Sequence, residues 1–163
     1  MISSKNKEAL SIAYAAVIAA IYVVLTLIFA PISYGPIQVR VSEALCVLPI
    51  FTPAAIPGIF IGCLLANALV GAIIWDVIFG SLASFAAAYI SYLFRRKRVL
   101  AYLSPIVINA LVVPFVLKYA YGIEDMIWYM MFTVAVGEII SVGVFGSILS
   151  IVLEKYRSIL FRE

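Results

Sequence analysis

Histidine is absent from the 163 residues, and the two cysteines, Cys46 and Cys63, both lie inside apolar runs. Without imidazole the commonest general base and metal ligand is missing, and two scattered thiols make neither a disulfide framework nor a zinc set. The cysteines are expected to be small packing residues. A phosphate-cradling glycine-lysine motif is also lacking, so the chain is not expected to be an enzyme, to carry a cofactor or to hydrolyse a nucleotide itself. Uphill transport would then need an ion gradient or a separate ATPase. Charge is scarce: 12% of residues are charged and 66% hydrophobic, with a mean hydropathy of +1.20. That is the balance of a multi-pass protein of the cell membrane, its partner the lipid bilayer and not a nucleic acid.

The apolar runs are Ala9 to Ala30, Ala44 to Trp75, Val77 to Phe94, Val99 to Leu117 and Met126 to Leu153. The first has 22 residues and ends at Pro31, not at a small-residue cleavage site, which reads as a span and not a removable signal. The second has 32 residues interrupted by Pro49, Pro53 and Pro57, and charge decides how to count it. Lys5 and Lys7 precede the first span, and Arg95, Arg96, Lys97 and Arg98 form the strongest basic cluster. The positive-inside rule puts both groups in the cytoplasm, which requires the second run to cross twice. The expectation is an all-α, single-domain bundle over residues 1–163 with six transmembrane helices and both termini cytoplasmic. Its short second helix covers about Val41 to Phe51, its third Gly58 to Trp75, and a minimal outer turn surrounds Asp76. Nine of the 11 basic residues then lie inside, leaving Arg40 and Lys118 outside.

Glu138 stands in the middle of the last run. A charge at bilayer depth costs about 2.5–3.5 kcal/mol on insertion scales, so such a residue ordinarily faces a partner or a polar cavity. Asn67 and Asn109 fall at similar depth, and the three are expected to meet; singly, each asparagine reads as interhelical glue. Gln38, Arg40, Ser42 and Glu43 stand at the outer mouth of the second span, where an extended chain would put Gln38, Arg40 and Ser42 on one face. Arg40 and Glu43 read equally well as a surface ion pair or as part of a loop covering a ligand. Asp76 reads first as an N-cap. Tyr34, Trp75, Tyr119, Tyr121, Trp128 and Tyr129 form an outer aromatic belt, from which Tyr34 and Trp128 are the candidates to stack on a flat ligand. Small residues repeat every four positions at Ala15 and Ala19, Ala16 and Ala20, Gly58, Gly62 and Ala66, and Gly80, Ser84 and Ala88. Such stripes admit close helix approach, within the bundle for the later spans and toward another subunit for the first.

The run Gln38-Val-Arg-Val-Ser-Glu-Ala-Leu45, continuing through Leu48-Pro-Ile-Phe-Thr-Pro-Ala-Ala-Ile-Pro-Gly58, with Gly62-Cys-Leu-Leu-Ala-Asn67, Asp76-Val-Ile-Phe-Gly-Ser-Leu82 and Val136-Gly-Glu138, resembles the QueT family. These are S components, the substrate-binding subunits of energy-coupling factor transporters, assigned to queuosine precursors. The resemblance implies the six-helix S-component fold, with substrate held near the outer side under the loop between spans one and two. It implies docking on the coupling subunit EcfT, which carries two ABC ATPases, through an Ala-x-x-x-Ala face drawn from Ala15, Ala16, Ala19 and Ala20. Delivery would occur by toppling of the loaded subunit in the membrane. A deazaguanine presents adjacent N–H donors suited to Glu138 or Glu43, and a carbonyl suited to Asn67, Asn109, Gln38 or Arg40. An aminomethyl substituent would welcome a second carboxylate. The rival readings are an S component for another vitamin or nucleobase, a gradient-driven secondary transporter in which Glu138 carries a proton, and a membrane assembly protein.

Overall fold

The computed structural model describes residues 4–33 and 38–160, and among these residues every regular element is a helix and none is a strand. Helix α1 covers Ser4–Ile28 and α2 is a single turn, Ala30–Ser33. A 3₁₀ segment, Val41–Ile50, leads into α3, Ala55–Leu69, then α4, Ile74–Leu93, and α5, Arg98–Tyr119. The last apolar run is one continuous rod of α6, Ile127–Glu138, a π-helical stretch, Ile139–Gly146, and α7, Ser147–Lys155, followed by the short α8, Arg157–Leu160. Among the described residues four segments are long and apolar enough to cross a membrane: Lys5–Ile28, Ile74–Leu93, Arg98–Tyr119 and Ile127–Lys155. Val41–Ile50 and Ala55–Leu69 are apolar but shorter.

Polarity is arranged for lipid. Large apolar side chains such as Ile12, Leu69, Leu111, Phe132 and Ile151 face outward, while Ser42, Thr52, Ser81, Ser84, Ser91 and Ser141 are buried. Hydrocarbon cannot hydrogen-bond a free backbone group, so inward hydroxyls must cover defects in the helices. Helix α5 shows how. Pro105 has no N–H for the Ala101 carbonyl, and the Ser91 and Ser104 hydroxyls, at 2.7 and 3.1 Å, bond that carbonyl instead.

Two boundaries differ from the sequence expectation. Helix α3 stops at Leu69, not at Trp75, because the chain reverses at Gly71, whose φ of +76° glycine adopts without steric cost. Trp75 and Asp76 therefore belong to α4, and the turn surrounds Gly71 and not Asp76. Asp76 is likewise not the N-cap: that position is Ile73, and Asp76 is a buried residue of the first turn.

Helices α1 and α3 touch almost backbone to backbone. A methyl group built on Gly58 would stand 2.8 Å from the Ala15 carbonyl, and one on Gly62 would stand 2.7 Å from Cβ of Tyr22 and 3.1 Å from Cα of Ala19. The Ala15 and Ala19 stripe thus faces inward, Ala19 being 6% exposed, and the Ala16 and Ala20 stripe faces outward. The same approach carries the Tyr22 ring into the centre of the bundle.

Candidate functional site

The buried polar residues gather around Glu43. Val41–Ile50 is buried from Ser42 onward, so a carboxylate in its first turn must find its partners inside the protein. In a 3₁₀ helix residues i and i+3 eclipse, which sets Cys46 directly beside Glu43; its thiol donates to Oε2 at 3.0 Å. The Tyr22 hydroxyl from α1 donates to Oε1, Ser84 from α4 donates to the same oxygen at 3.2 Å, and Asn109 from α5 donates to Oε2 at 3.4 Å. Four helical segments converge on one side chain that has no exposure to solvent.

The Asn109 side-chain nitrogen also donates to Oε1 of Glu138 at 3.0 Å, so one amide group bridges two carboxylates. Glu138 is the last residue of α6 and abuts the π-helical stretch, an irregularity that recurs at functional sites. It is 3% exposed, and its Oε2 has no hydrogen-bond partner among the described residues. An acceptor left without a donor at this depth is expensive, which marks Oε2 as the position where a donor from elsewhere would gain most.

A second cluster surrounds Asp76. Its Oδ2 accepts a hydrogen bond from the Tyr121 hydroxyl at 2.9 Å and lies 3.9 Å from a guanidinium nitrogen of Arg40. Arg40, read beside Glu43 either as a surface ion pair or as part of a ligand-covering loop, pairs with Asp76, because the 3₁₀ winding turns Glu43 into the bundle. Asn67 joins this cluster: its amide donates to the Asp76 carbonyl at 3.5 Å and to the Cys63 sulfur at 3.6 Å, and the bare Cα of Gly80 leaves room for both side chains. Oδ1 of Asp76 is a second buried acceptor without a partner among the described residues.

Of the expected trio, Asn109 and Glu138 are joined by a hydrogen bond, whereas Asn67 is bonded in the Asp76 cluster. Ser42 is not on a shared extended face with Gln38 and Arg40; it lies in the 3₁₀ segment with its hydroxyl 2.8 Å from that of Thr26. Trp128 is 81% exposed on the outer surface of α6, and Tyr34 lies outside the described residues. Tyr22 is absent from the expected site residues, and Cys46, Ser84 and Tyr121, expected in packing, in a small-residue stripe and in the aromatic belt, instead bond the buried carboxylates. A phenol in the middle of an otherwise apolar first span was the available signal for Tyr22. A cavity of about 480 Å³ between α4 and α5, lined by Trp75, Phe79, Leu111 and Phe115 among others, contains none of these polar residues and opens on the apolar outer surface.

Gln38 is half-buried, and its backbone lies on Gly137, next to Glu138. A methyl group at Gly137 would overlap the Gln38 carbonyl, whose carbon would stand 2.7 Å away. Backbone on one side and helix on the other leave no flexible side chain to yield. Gly137→Ala is expected to lift residues 38–40 off α6 and to destabilise the protein by about 2 kcal/mol, the usual penalty of overpacking. Thermal unfolding in detergent checks this, and an unchanged midpoint would mean that the segment rests elsewhere.

The QueT transporter family matches residues 12–155. The chain belongs to the QueT transporter family. A relative described as the queuosine precursor transporter QueT, from Lactococcus lactis subsp. cremoris (strain MG1363), is 41% identical over 83 residues, which are 49% of this chain and 48% of the relative. The chain thus matches about half the relative's length. No solved structure matches. The family match takes in Glu43, Asn67, Asp76, Asn109 and Glu138.

Proposed function

We propose that this QueT-family chain is the substrate-capturing membrane subunit of an energy-coupling factor transporter, and that its substrate is a queuosine precursor of the deazaguanine class. The observation that carries the reading is the unpartnered Oε2 of Glu138, held beside Asn109 within a family named for queuosine precursor transport. Adjacent N–H donors on a guanine-like edge would satisfy that oxygen, and charge-assisted bonds of this kind are about twice as strong as neutral ones. Glu43 already accepts four donors, so its role is to hold α1, α4 and α5 around the site. Asp76 and Arg40 line the approach from the outer end, with Gln38 over Gly137 as the cover. A cationic aminomethyl substituent would find Oδ1 of Asp76 as its acceptor.

The membrane reading has six crossings, in which the buried 3₁₀ segment and α3, whose Ile61, Leu65 and Leu69 face outward, stand beside the four long spans. At about 2.0 Å rise per residue, a 3₁₀ helix reaches further through a bundle than an α-helix of equal length. Both termini are cytoplasmic, supported by the excess of basic residues on that side. Docking on EcfT and its ATPases uses the outward Ala16 and Ala20, since Ala15 and Ala19 are packed on α3. Toppling of the loaded subunit then exposes the site to the cytoplasm. Introducing bulk there, as in Ala16→Trp with Ala20→Trp, is expected to abolish co-purification with the ATPase module and leave ligand affinity within about twofold, since additivity holds for remote sites. Retained co-purification would move the docking face elsewhere.

The test of function is thermal stabilisation of the purified protein by cyano- and aminomethyl-deazaguanine and by queuine, which carries the same ring, against guanine, thiamine, riboflavin and biotin. A ligand at 100 times its Kd stabilises by about 2.7 kcal/mol. Selective stabilisation by the deazaguanines is expected, and a shift with a vitamin alone would overturn the substrate. Because an unpartnered carboxylate oxygen also suits a proton carrier, uptake by ATPase-free proteoliposomes under an imposed gradient would overturn the coupled mechanism.

A further inference from the structure

The run Arg95 to Arg98 was accounted for above as a topology signal, which needs positive charge and no particular shape. The structure gives it a shape. A cavity of about 470 Å³ lies where the end of α4, the start of α5, the end of the 3₁₀ segment and the start of α8 meet, and its walls include Arg95, Arg96, Arg98, Arg157, Phe51 and Tyr92. We infer that this cavity holds the phosphodiester head group of an anionic phospholipid.

Guanidinium groups present forked donors that match phosphate oxygens in pairs, and basic pockets between membrane helices suit anionic head groups. Among the described residues the carboxylate that pairs with these arginines is Glu154, which bonds Arg98 at 2.8 Å and Arg157 at 3.4 Å. All three side chains are 40–55% exposed, so the pairing is weak and leaves the cavity strongly positive. Arg95 is oriented by a bond to the Tyr92 carbonyl at 3.1 Å and by stacking 4.2 Å above the Tyr92 ring, and Arg157 lies 5.9 Å from the Phe51 ring. The rim decides between a lipid and an acidic polypeptide. Leu93, Phe94 and Val99 flank the arginines and are 55%, 42% and 72% exposed, an apolar surface against which acyl chains would lie.

The test is thermal unfolding of the full-length protein in neutral detergent, with dioleoyl phosphatidylglycerol, dioleoyl phosphatidylcholine, inorganic phosphate or polyglutamate added in turn. Phosphatidylglycerol is expected to raise the midpoint by roughly 5 °C at saturation, and the others by much less. Arg95→Gln with Arg96→Gln, which spares the residues paired to Glu154, is expected to erase the difference between the two lipids while a deazaguanine shift, if the wild type shows one, persists. Equal shifts from both lipids, or an equal shift from phosphate alone, would overturn the proposal. A larger shift from polyglutamate would assign the cavity to an acidic protein surface instead. Should the double variant fail to fold, native mass spectrometry of the wild type decides: one retained phosphatidylglycerol per chain, in preference to phosphatidylcholine, is expected, and no preference overturns it.

Discussion

Replacing Glu43 with alanine is expected to cost about 3 kcal/mol of stability, visible as a fall of roughly 10 °C in the unfolding midpoint in detergent. The size follows from which donors lose their acceptor. Asn109 keeps its bond to Glu138 and Ser84 remains 3.5 Å from the Cys63 sulfur, but the Tyr22 hydroxyl is left to share that same weak sulfur acceptor and the Cys46 thiol loses the carboxylate it donates to. Stranding a buried donor costs about 1–3 kcal/mol, while a typical interhelical bond in a membrane protein contributes only about 0.6, so the two donors left poorly partnered outweigh the two that keep another partner. Glutamine is the sharper variant. With its NH₂ toward Cys46 and Asn109 it meets the Asn109 amide, a donor, and with its NH₂ toward Tyr22 and Ser84 it needs those hydroxyls to reverse and accept, so Glu43→Gln is expected to be destabilised by about 2 kcal/mol, less than Glu43→Ala. Wild-type stability in Glu43→Gln would show that the carboxylate is not the acceptor at the centre of the bundle.

Glu138→Gln is expected to behave in the opposite way, unfolding within about 1 kcal/mol of the wild type while binding the deazaguanine about 100-fold more weakly. Glutamine can keep a carbonyl toward Asn109 and so preserve the bond at Oε1. It replaces Oε2, which bonds nothing else in the described chain, with a donor group. Against a ligand edge made of N–H groups, donor then meets donor, and polar sites reject such mismatches far more strongly than apolar pockets reject a methyl group. Calorimetric titration of the ligand, beside thermal unfolding of both proteins, separates the effects. An unchanged Kd would remove Glu138 from the site.

The positions of the long spans were legible in the sequence because hydropathy and length are local properties, and Glu138 and Asn109 stood out because polar residues in an apolar run are rare. Partnership was less legible. Arg40 and Glu43 are three residues apart, yet Asp76, 36 positions from Arg40, takes the arginine, because the winding of Val41–Ile50 turns Glu43 inward. Tyr22, Ser84 and Asn109 reach Glu43 only once α1, α4 and α5 have packed, and no periodicity within one helix announces that. The turn at Gly71 was missed because the apolar run continues through it, and hydropathy does not respond to a change of φ. The alanine stripes were visible, but choosing between them required knowing where Gly58 and Gly62 would press.

The π-helical stretch Ile139–Gly146 makes chain length a structural variable. A helix wound this loosely holds more residues over its span than a regular α-helix, so residues downstream of Gly146 take their facing from the surplus. Deleting one residue inside Ile139–Gly146 would be absorbed as the segment tightens, whereas deleting Ser147 at the start of α7, where there is no surplus, would rotate the rest of α7 by about 100° relative to α6. Ser150 would leave the interior, and Leu149 and Leu153 would lose their place against Val47, Ile50 and Phe51. The composition of such a variant would be almost unchanged and its hydropathy profile would be indistinguishable from the parent's. In this rod the information that aligns the carboxylate at one end with the basic cavity at the other is a count of residues.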